Sequence, residues 1–240
     1  AKKVDADIVL ATDPDADRLG VYAKNTATGE YVSFTGNMSG MLIAEYILRE
    51  RKENGTLPQN AALVETIVTT DMAKAVAAAY GVKIIEVLTG FKYIGEQIKL
   101  FEQNNSYSYV FGLEESYGCL AGTYARDKDA CVAVMMLCEV ASFYKNQNKT
   151  LWDAMLDMYE KYGYYKEGLE TMTLKGMDGA QQIQSMMTKM REHVPAEIGA
   201  HKVLAIRDYK TGIRKDLENG KEEPAGLPES NVLYYCLLYT

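Results

Sequence analysis

The stretch "VKIIEVLTGFKYIGEQIKLFEQNNSYSYVFGL", residues 82–113, decides the fold class. "VKIIEV" (82–87) reads as a strand, "FKYIGEQIKLFEQN" (91–104) as a helix and "YSYVFGL" (107–113) as a second strand. The connections are short. A strand–helix–strand run of this kind implies parallel strands with the helix laid across them.

Working outward, the pattern repeats. "ALVETIV" (62–68) is a strand, followed by a helix in "TTDMAKAVAAAYG" with an N-cap at Thr70 or Asp71 and a stop at Gly81. Asn37 to Arg51 reads as a helix with Met41, Ala44, Ile47 and Leu48 on one face. Two further helices are expected, Asp129 to Asn146 and Leu151 to Tyr162. The fold class is therefore α/β, a mixed, mostly parallel sheet covered by helices. Composition and pattern change around Gly163. "GLETMTLKG" (168–176), a helix at about 178–194 and "HKVLAIRDY" (201–209) look like the start of a separate α+β unit. Both ends look cut. "DIVLAT" (7–12) opens almost inside a strand, and "NVLYYCLLYT" (231–240) is an apolar strand with nothing after it to pair or cover it.

Bulk composition narrows the function. A net charge of −7 argues against nucleic acid, whose phosphates want a basic face. The longest apolar run, Ala130 to Cys138, falls far short of the ~20 residues of a spanning helix. Nothing at the N-terminus resembles a signal peptide. The four cysteines form no CxxC pairing and lie far from His193 and His201, so neither a disulfide framework nor a zinc site is expected. A reduced, cytoplasmic compartment fits this usage best. No sequence feature specifies an oligomeric state.

The chemistry concentrates in "ATDPDADRLG" (11–20), where Asp13, Asp15 and Asp17 alternate behind an apolar run. Carboxylates this close resist joint ionisation unless a cation sits between them. Converging carboxylate oxygens suit a hard divalent ion such as Mg²⁺. Two other readings of the loop fail on the letters. An EF-hand counted from Asp13 needs Gly and Glu where Arg18 and Lys24 stand. A dehalogenase-type phosphatase needs Thr or Val where Asp17 or Leu19 stands.

"TDPDADRLG" resembles the D-x-D-x-D-R metal loop of the α-D-phosphohexomutases, the superfamily of phosphoglucomutases and phosphomannomutases. The resemblance implies Asp13, Asp15 and Asp17 as Mg²⁺ ligands and a catalytic Arg18 facing an enzyme phosphoserine. "GLEESYG" (112–118) is similar to the sugar-recognition loop G-E-E-S-[FY]-G, with Leu113 in place of its first Gly. Glu114 and Ser116 would then take the hexose hydroxyls. "LTGFKYIG" (88–95) resembles the family's T-G-[WFH] turn, which brings Thr89, Gly90 and Lys92 to the bound phosphosugar. Phe91, where forms with strong mannomutase activity often carry His, leans toward glucose. "ARDKDA" (125–130) resembles R-[ED]-K-D-[GA] and gives Lys128 a part in phosphate binding and proton transfer. "FTGNMSG" (34–40) and "TIVTTD" (66–71) also match in place, the latter with no chemistry assigned.

The function implied is a Mg²⁺-dependent, bacterial-type phosphoglucomutase. It interconverts glucose 1-phosphate and glucose 6-phosphate through the phosphoserine, with glucose 1,6-bisphosphate as activator and intermediate. The alternatives are a phosphomannomutase or phosphopentomutase of the same superfamily, or a phosphosugar-binding module without catalysis. By the same resemblance residues 1–33 are the end of domain two with the metal loop, 34–163 are domain three and 164–240 are a linker and the start of domain four. No T-A-S-H-N-P-like nucleophile segment and no R-P-S-G-T-E-P phosphate loop occurs in these residues. The chain by itself is expected to be inactive.

Overall fold

The computed structural model describes residues 1–237. They divide into two compact units, Ala1–Glu167 and a second that begins at Gly168. The first unit opens with β1 (Ile8–Thr12), β2 (Leu19–Lys24) and β3 (Tyr31–Phe34), an antiparallel meander in which Thr12 pairs with Leu19 and Val21 with Phe34. No sequence pattern described above predicts β2 and β3. β2 alternates between buried Leu19, Val21 and Ala23 and more exposed neighbours, the pattern of a strand with one face on a core.

The main layer follows as α1 (Gly36–Glu53), β4 (Ala61–Thr66), α2 (Met72–Tyr80), β5 (Lys83–Val87), α3 (Phe91–Asn104), β6 (Ser108–Leu113) and β7 (Cys119–Ala121). Strand order is β5-β4-β6-β7, with β4 parallel to β5 and to β6, and β7 antiparallel to β6. All six residues of central β4 are buried, as expected of a strand covered on both faces. α4 (Ala130–Lys145) and α5 (Leu151–Tyr162) complete the unit. The helix starts are written locally. Thr35 caps α1 by accepting from Met38 N (3.2 Å), and Asp129 caps α4 by accepting from Val132 N (3.1 Å). Thr150 and Asp153 form a reciprocal capping box on α5. α2 stops at left-handed Gly81 (φ 69°).

One expectation needs correction. α1 is not buried along a single face. Its residues from Met41 to Leu48 are all buried, because the helix is enclosed by α2, α4, α5, β2, β3 and β6.

The second unit contains α6 (Gly176–Glu192), β8 (Glu197–Ile198), β9 (His201–Asp208), β10 (Ile213–Asp216), β11 (Glu222–Pro224) and β12 (Leu233–Leu237). "GLETMTLKG" forms no strand, and α6 starts at its last residue. β12 is paired rather than stranded alone, since it turns back antiparallel onto β9 in the order β11-β10-β9-β12. The last three residues of "NVLYYCLLYT" lie outside the described ones.

Candidate active site

Parallel strands β4, β5 and β6 deliver three connections to one edge of the sheet, the carboxyl edge where α/β proteins bind ligands. These are the β4–α2 turn (67–71), the β5–α3 turn (88–90) and the β6–β7 loop (114–118). The β1–β2 turn, residues 13–18, is laid against the third. Leu19 N donates to Tyr117 O (3.1 Å), and Arg18 and Gly118 form an isolated antiparallel bridge. Ala130 N, at the start of α4, donates to Ala16 O (3.0 Å).

Within that turn Asp13 Oδ1 accepts from both Asp17 N and Arg18 N at 3.1 Å, and Ala16 takes a left-handed conformation (φ 55°). The tight turn gathers its carboxylates. One oxygen from each of Asp13, Asp15 and Asp17 lies within 4.8 Å of the others. Lys128 Nζ reaches Asp17 Oδ2 at 2.8 Å and Asp127 Oδ1 at 3.0 Å. Arg18 stands further off, 3.9 Å from Asp13 Oδ2 and 3.8 Å from Asp17 Oδ1. Asp17 Oδ1 is buried and accepts no hydrogen bond. Three carboxylates with one buried oxygen lacking a donor are a fitting donor set for a hard divalent cation.

Residues 35–162 match the family model of phosphoglucomutase/phosphomannomutase, alpha/beta/alpha domain III. The chain belongs to this family. It is 36% identical over 233 residues to the phosphoglucomutase of Staphylococcus haemolyticus, covering 97% of this chain and 41% of that protein. To the phosphoglucomutase of Staphylococcus epidermidis it is 38% identical over 235 residues, with the same two coverages. The chain thus spans about two-fifths of the length of these relatives. In fold it is similar to pp63/parafusin (phosphoglucomutase) from Paramecium in its open form. There the TM-score is 0.52 at 19% identity, over 91% of this chain and 35% of that one.

In this family member the "GLEESYG" loop is held from several sides. Glu114, buried, accepts from Gly90 N at 2.9 Å and so ties that loop to the β5–α3 turn. Ser116 is half-buried, and Thr89 and Lys92 are exposed on the same edge, outside the hydrogen-bonded aspartate cluster. Lys92 Nζ lies 4.8 Å from the ring centre of Tyr93. The structure therefore joins Asp13, Asp15, Asp17, Arg18 and Lys128 in one cluster and Glu114 with Gly90 in another.

Charge states follow from these contacts. The Arg18 backbone N–H holds the Asp13 carboxyl below the ordinary carboxylate range, helped by the Asp17 N–H. Burial works against charge on Lys128, but its bonds to Asp17 and Asp127 outweigh that and hold it above an ordinary lysine. Burial pushes the Glu114 carboxyl up against the opposing pull of Lys128 and the Gly90 N–H.

Several contacts around Lys128 escape a sequence reading. Lys128 lies beside Gly118, where an added Cβ would sit 2.0 Å from Lys128 Cδ, so only glycine leaves the lysine its path. Phe91 places its ring centre 5.6 Å from Lys128 Nζ. Asp127 is signalled only by the alternating charges of "ARDKDA".

Proposed function

We propose that this chain carries the metal-binding and sugar-recognition parts of a Mg²⁺-dependent phosphoglucomutase that interconverts glucose 1-phosphate and glucose 6-phosphate. The observation that carries the reading is the convergence of three aspartate oxygens within 4.8 Å, with Lys128 on Asp17. Asp13, Asp15 and Asp17 hold Mg²⁺, which when bound neutralises charge on the phosphoryl oxygens during transfer. Arg18, half-exposed at the rim, faces the donor phosphoserine. Lys128 stays protonated and offers its charge and an N–H donor to the sugar phosphate. Thr89, Gly90 and Lys92 meet phosphate at the start of α3, where helix N-terminal N–H groups favour anions, although the Gly90 N–H is itself given to Glu114. Glu114 and Ser116 accept and orient the hexose hydroxyls. Glu114 keeps one oxygen on Gly90 N, which fixes the other for a sugar.

The catalysed exchange moves a phosphoryl group from the enzyme serine to one hydroxyl of the sugar phosphate. The bisphosphate then turns over and returns its other phosphoryl group to the serine. No segment of this chain supplies that serine, and the chain spans 41% of its relatives' length, so the reading places the nucleophile elsewhere in a longer protein. By itself the chain binds Mg²⁺ and phosphosugar without turnover.

A coupled mutase assay on the gene's full-length product, with this chain in parallel, tests the reading. Both receive Mg²⁺ and glucose 1,6-bisphosphate, and glucose, mannose and ribose 1-phosphates are compared. Fastest turnover of glucose 1-phosphate by the full-length protein, with the chain silent, is expected. Activity in the chain alone refutes the role given to the serine, and preference for mannose or ribose refutes the substrate.

A further inference from the structure

The segment "TIVTTD" (66–71), the end of β4 and the turn after it, has no role in the reading above, yet its three threonines are buried beside the site. Thr66, Thr69 and Thr70 are all buried, as is Asn37 at the start of α1. The hydroxyls of Thr66 and Thr69 form a chain of bonds that ends on the 114–118 loop. Thr66 N donates to Thr69 Oγ1 (3.2 Å), the two hydroxyls lie 2.9 Å apart, and Thr66 Oγ1 donates to Glu115 Oε2 (3.2 Å).

Chemistry fixes the direction of this chain of bonds. An ionised carboxylate only accepts, so the Thr66 hydroxyl spends its single proton on Glu115. The Thr69 hydroxyl must then donate to Thr66 while accepting from Thr66 N. Each bond polarises the next, and the last one is charge-assisted. Asn37 Nδ2 braces the turn by donating to Thr69 O (3.2 Å). The loop backbone is also pressed against α1, since a Cβ on Gly36 would lie 2.3 Å from Glu115 O and 2.5 Å from Tyr117 N. Tyr117 itself is held left-handed at φ 71°. Such a conformation in a bulky residue persists only where surroundings enforce it.

We propose that Thr66 is a positioning residue for sugar recognition: it draws Glu115 onto the end of β4 and thereby leaves Glu114 and Ser116 to face the hexose. Adjacent carboxylates are pinned to different strand ends, Glu114 to Gly90 after β5 and Glu115 to Thr66 at the end of β4, so the loop that carries them has little freedom to rotate. The sugar-facing half of this inference rests on the proposed function, whereas the support of the loop does not.

The test separates the two. Hydrogen exchange of peptides covering 113–118 is measured in this chain as wild type, Thr66→Val, Thr66→Ser and Glu115→Ala. Calorimetry with Mg²⁺ and glucose 1,6-bisphosphate follows. Thr66→Val and Glu115→Ala are expected to speed loop exchange about tenfold, the change expected for one lost charge-assisted hydrogen bond. Thr66→Ser, which keeps the hydroxyl, restores wild-type exchange, and the double variant is no faster than either single one. Bisphosphate affinity falls in the same two variants and recovers in Thr66→Ser. Unchanged exchange in Glu115→Ala, which alters only a half-buried loop residue, overturns the proposal even if Thr66→Val does not fold. Faster exchange in a chain whose wild type ignores the bisphosphate refutes the phosphosugar reading and leaves the loop support standing.

Discussion

Replacing Glu65 by Gln should make the first unit more stable, and increasingly so as pH rises. Glu65, next to last in β4, is buried and sits opposite Glu86 in the parallel register with β5. Asp71 adds a further negative charge, and the compensation is thin: Thr70 N donates to Glu65 Oε2 at 3.4 Å, and Lys74 is committed to Asp71 (2.7 Å) and Glu86 (3.0 Å). Burial first, and then Glu86 and Asp71, push the Glu65 carboxyl from 4.5 up to about 8, against the opposing pulls of Thr70 N and Lys74. The folded chain therefore keeps a proton that the unfolded chain releases near its ordinary value. Stability is complete below about 4.5 and drains away as pH climbs to about 8. Each pH unit in that interval costs about 1.4 kcal/mol, so the loss at pH 7 is about 3 kcal/mol. Gln has nearly the same shape and no proton to lose.

Urea unfolding followed by the fluorescence of Trp152, the single tryptophan, reads this unit, because Trp152 lies in α5 with its ring centre 6.2 Å from that of Phe34. The informative quantity is the difference between variant and wild type at pH 5, 7 and 8.5. Carboxylates held below their ordinary range, Asp13, Asp129 and Asp153 among them, act in the opposite direction at lower pH and cancel in that difference. A gap in favour of Glu65→Gln that widens by a few kcal/mol is expected. Parallel curves would show that Glu65 ionises in the folded state at no cost, and the buried, proton-holding carboxyl would have to be abandoned.

Other outcomes follow from the same geometry. Asp17→Asn removes a charge from the three-carboxylate set, so Mg²⁺ affinity measured by calorimetry should fall on the order of tenfold, while the melting temperature without metal changes little. Gly118→Ala drives a methyl into Lys128 and should cost roughly 1–3 kcal/mol in urea unfolding, with loss of the Lys128–Asp17 pair visible in a crystal structure of the variant. Thr150→Ala dismantles the α5 capping box and should cost about 1 kcal/mol without altering metal affinity.

The sequence announces those parts of the molecule whose signals are local. Helix 91–104 and helix 151–162 are marked at both ends by turn residues or caps, and the structure keeps those limits as Phe91–Asn104 and Leu151–Tyr162. The β1–β3 meander was not legible because β3 has only four residues and its partner strand makes sense only once α5 and α1 cover one face. For α1 the letters show one apolar stripe, yet small and polar residues such as Gly36, Asn37 and Ser39 are buried too. They are buried by what comes to them from elsewhere in the chain. β12 looked unpaired for a related reason, since its partner β9 precedes it by some 25 residues and antiparallel pairing at that distance leaves no local mark.

The site divides along the same line. Alternating aspartates are legible because the turn that gathers them is closed within six residues, through Asp13 Oδ1 and the N–H groups of Asp17 and Arg18. What makes the cluster more than an acidic turn is long-range: Lys128 arrives from the start of α4, and Gly118 clears its path. The answer to the three negative charges is thus only partly a local base. Arg18 stays at 3.8–3.9 Å, at the limit of an ion pair, while Lys128 makes the one short contact to Asp17 Oδ2. With Oδ2 occupied by the ammonium and Oδ1 buried without a donor, Asp17 presents two differently prepared oxygens. An aspartate in a solvated surface turn would have water on both. Burial of an oxygen without a donor costs free energy unless something positive meets it, and under the proposed function Mg²⁺ is what meets it.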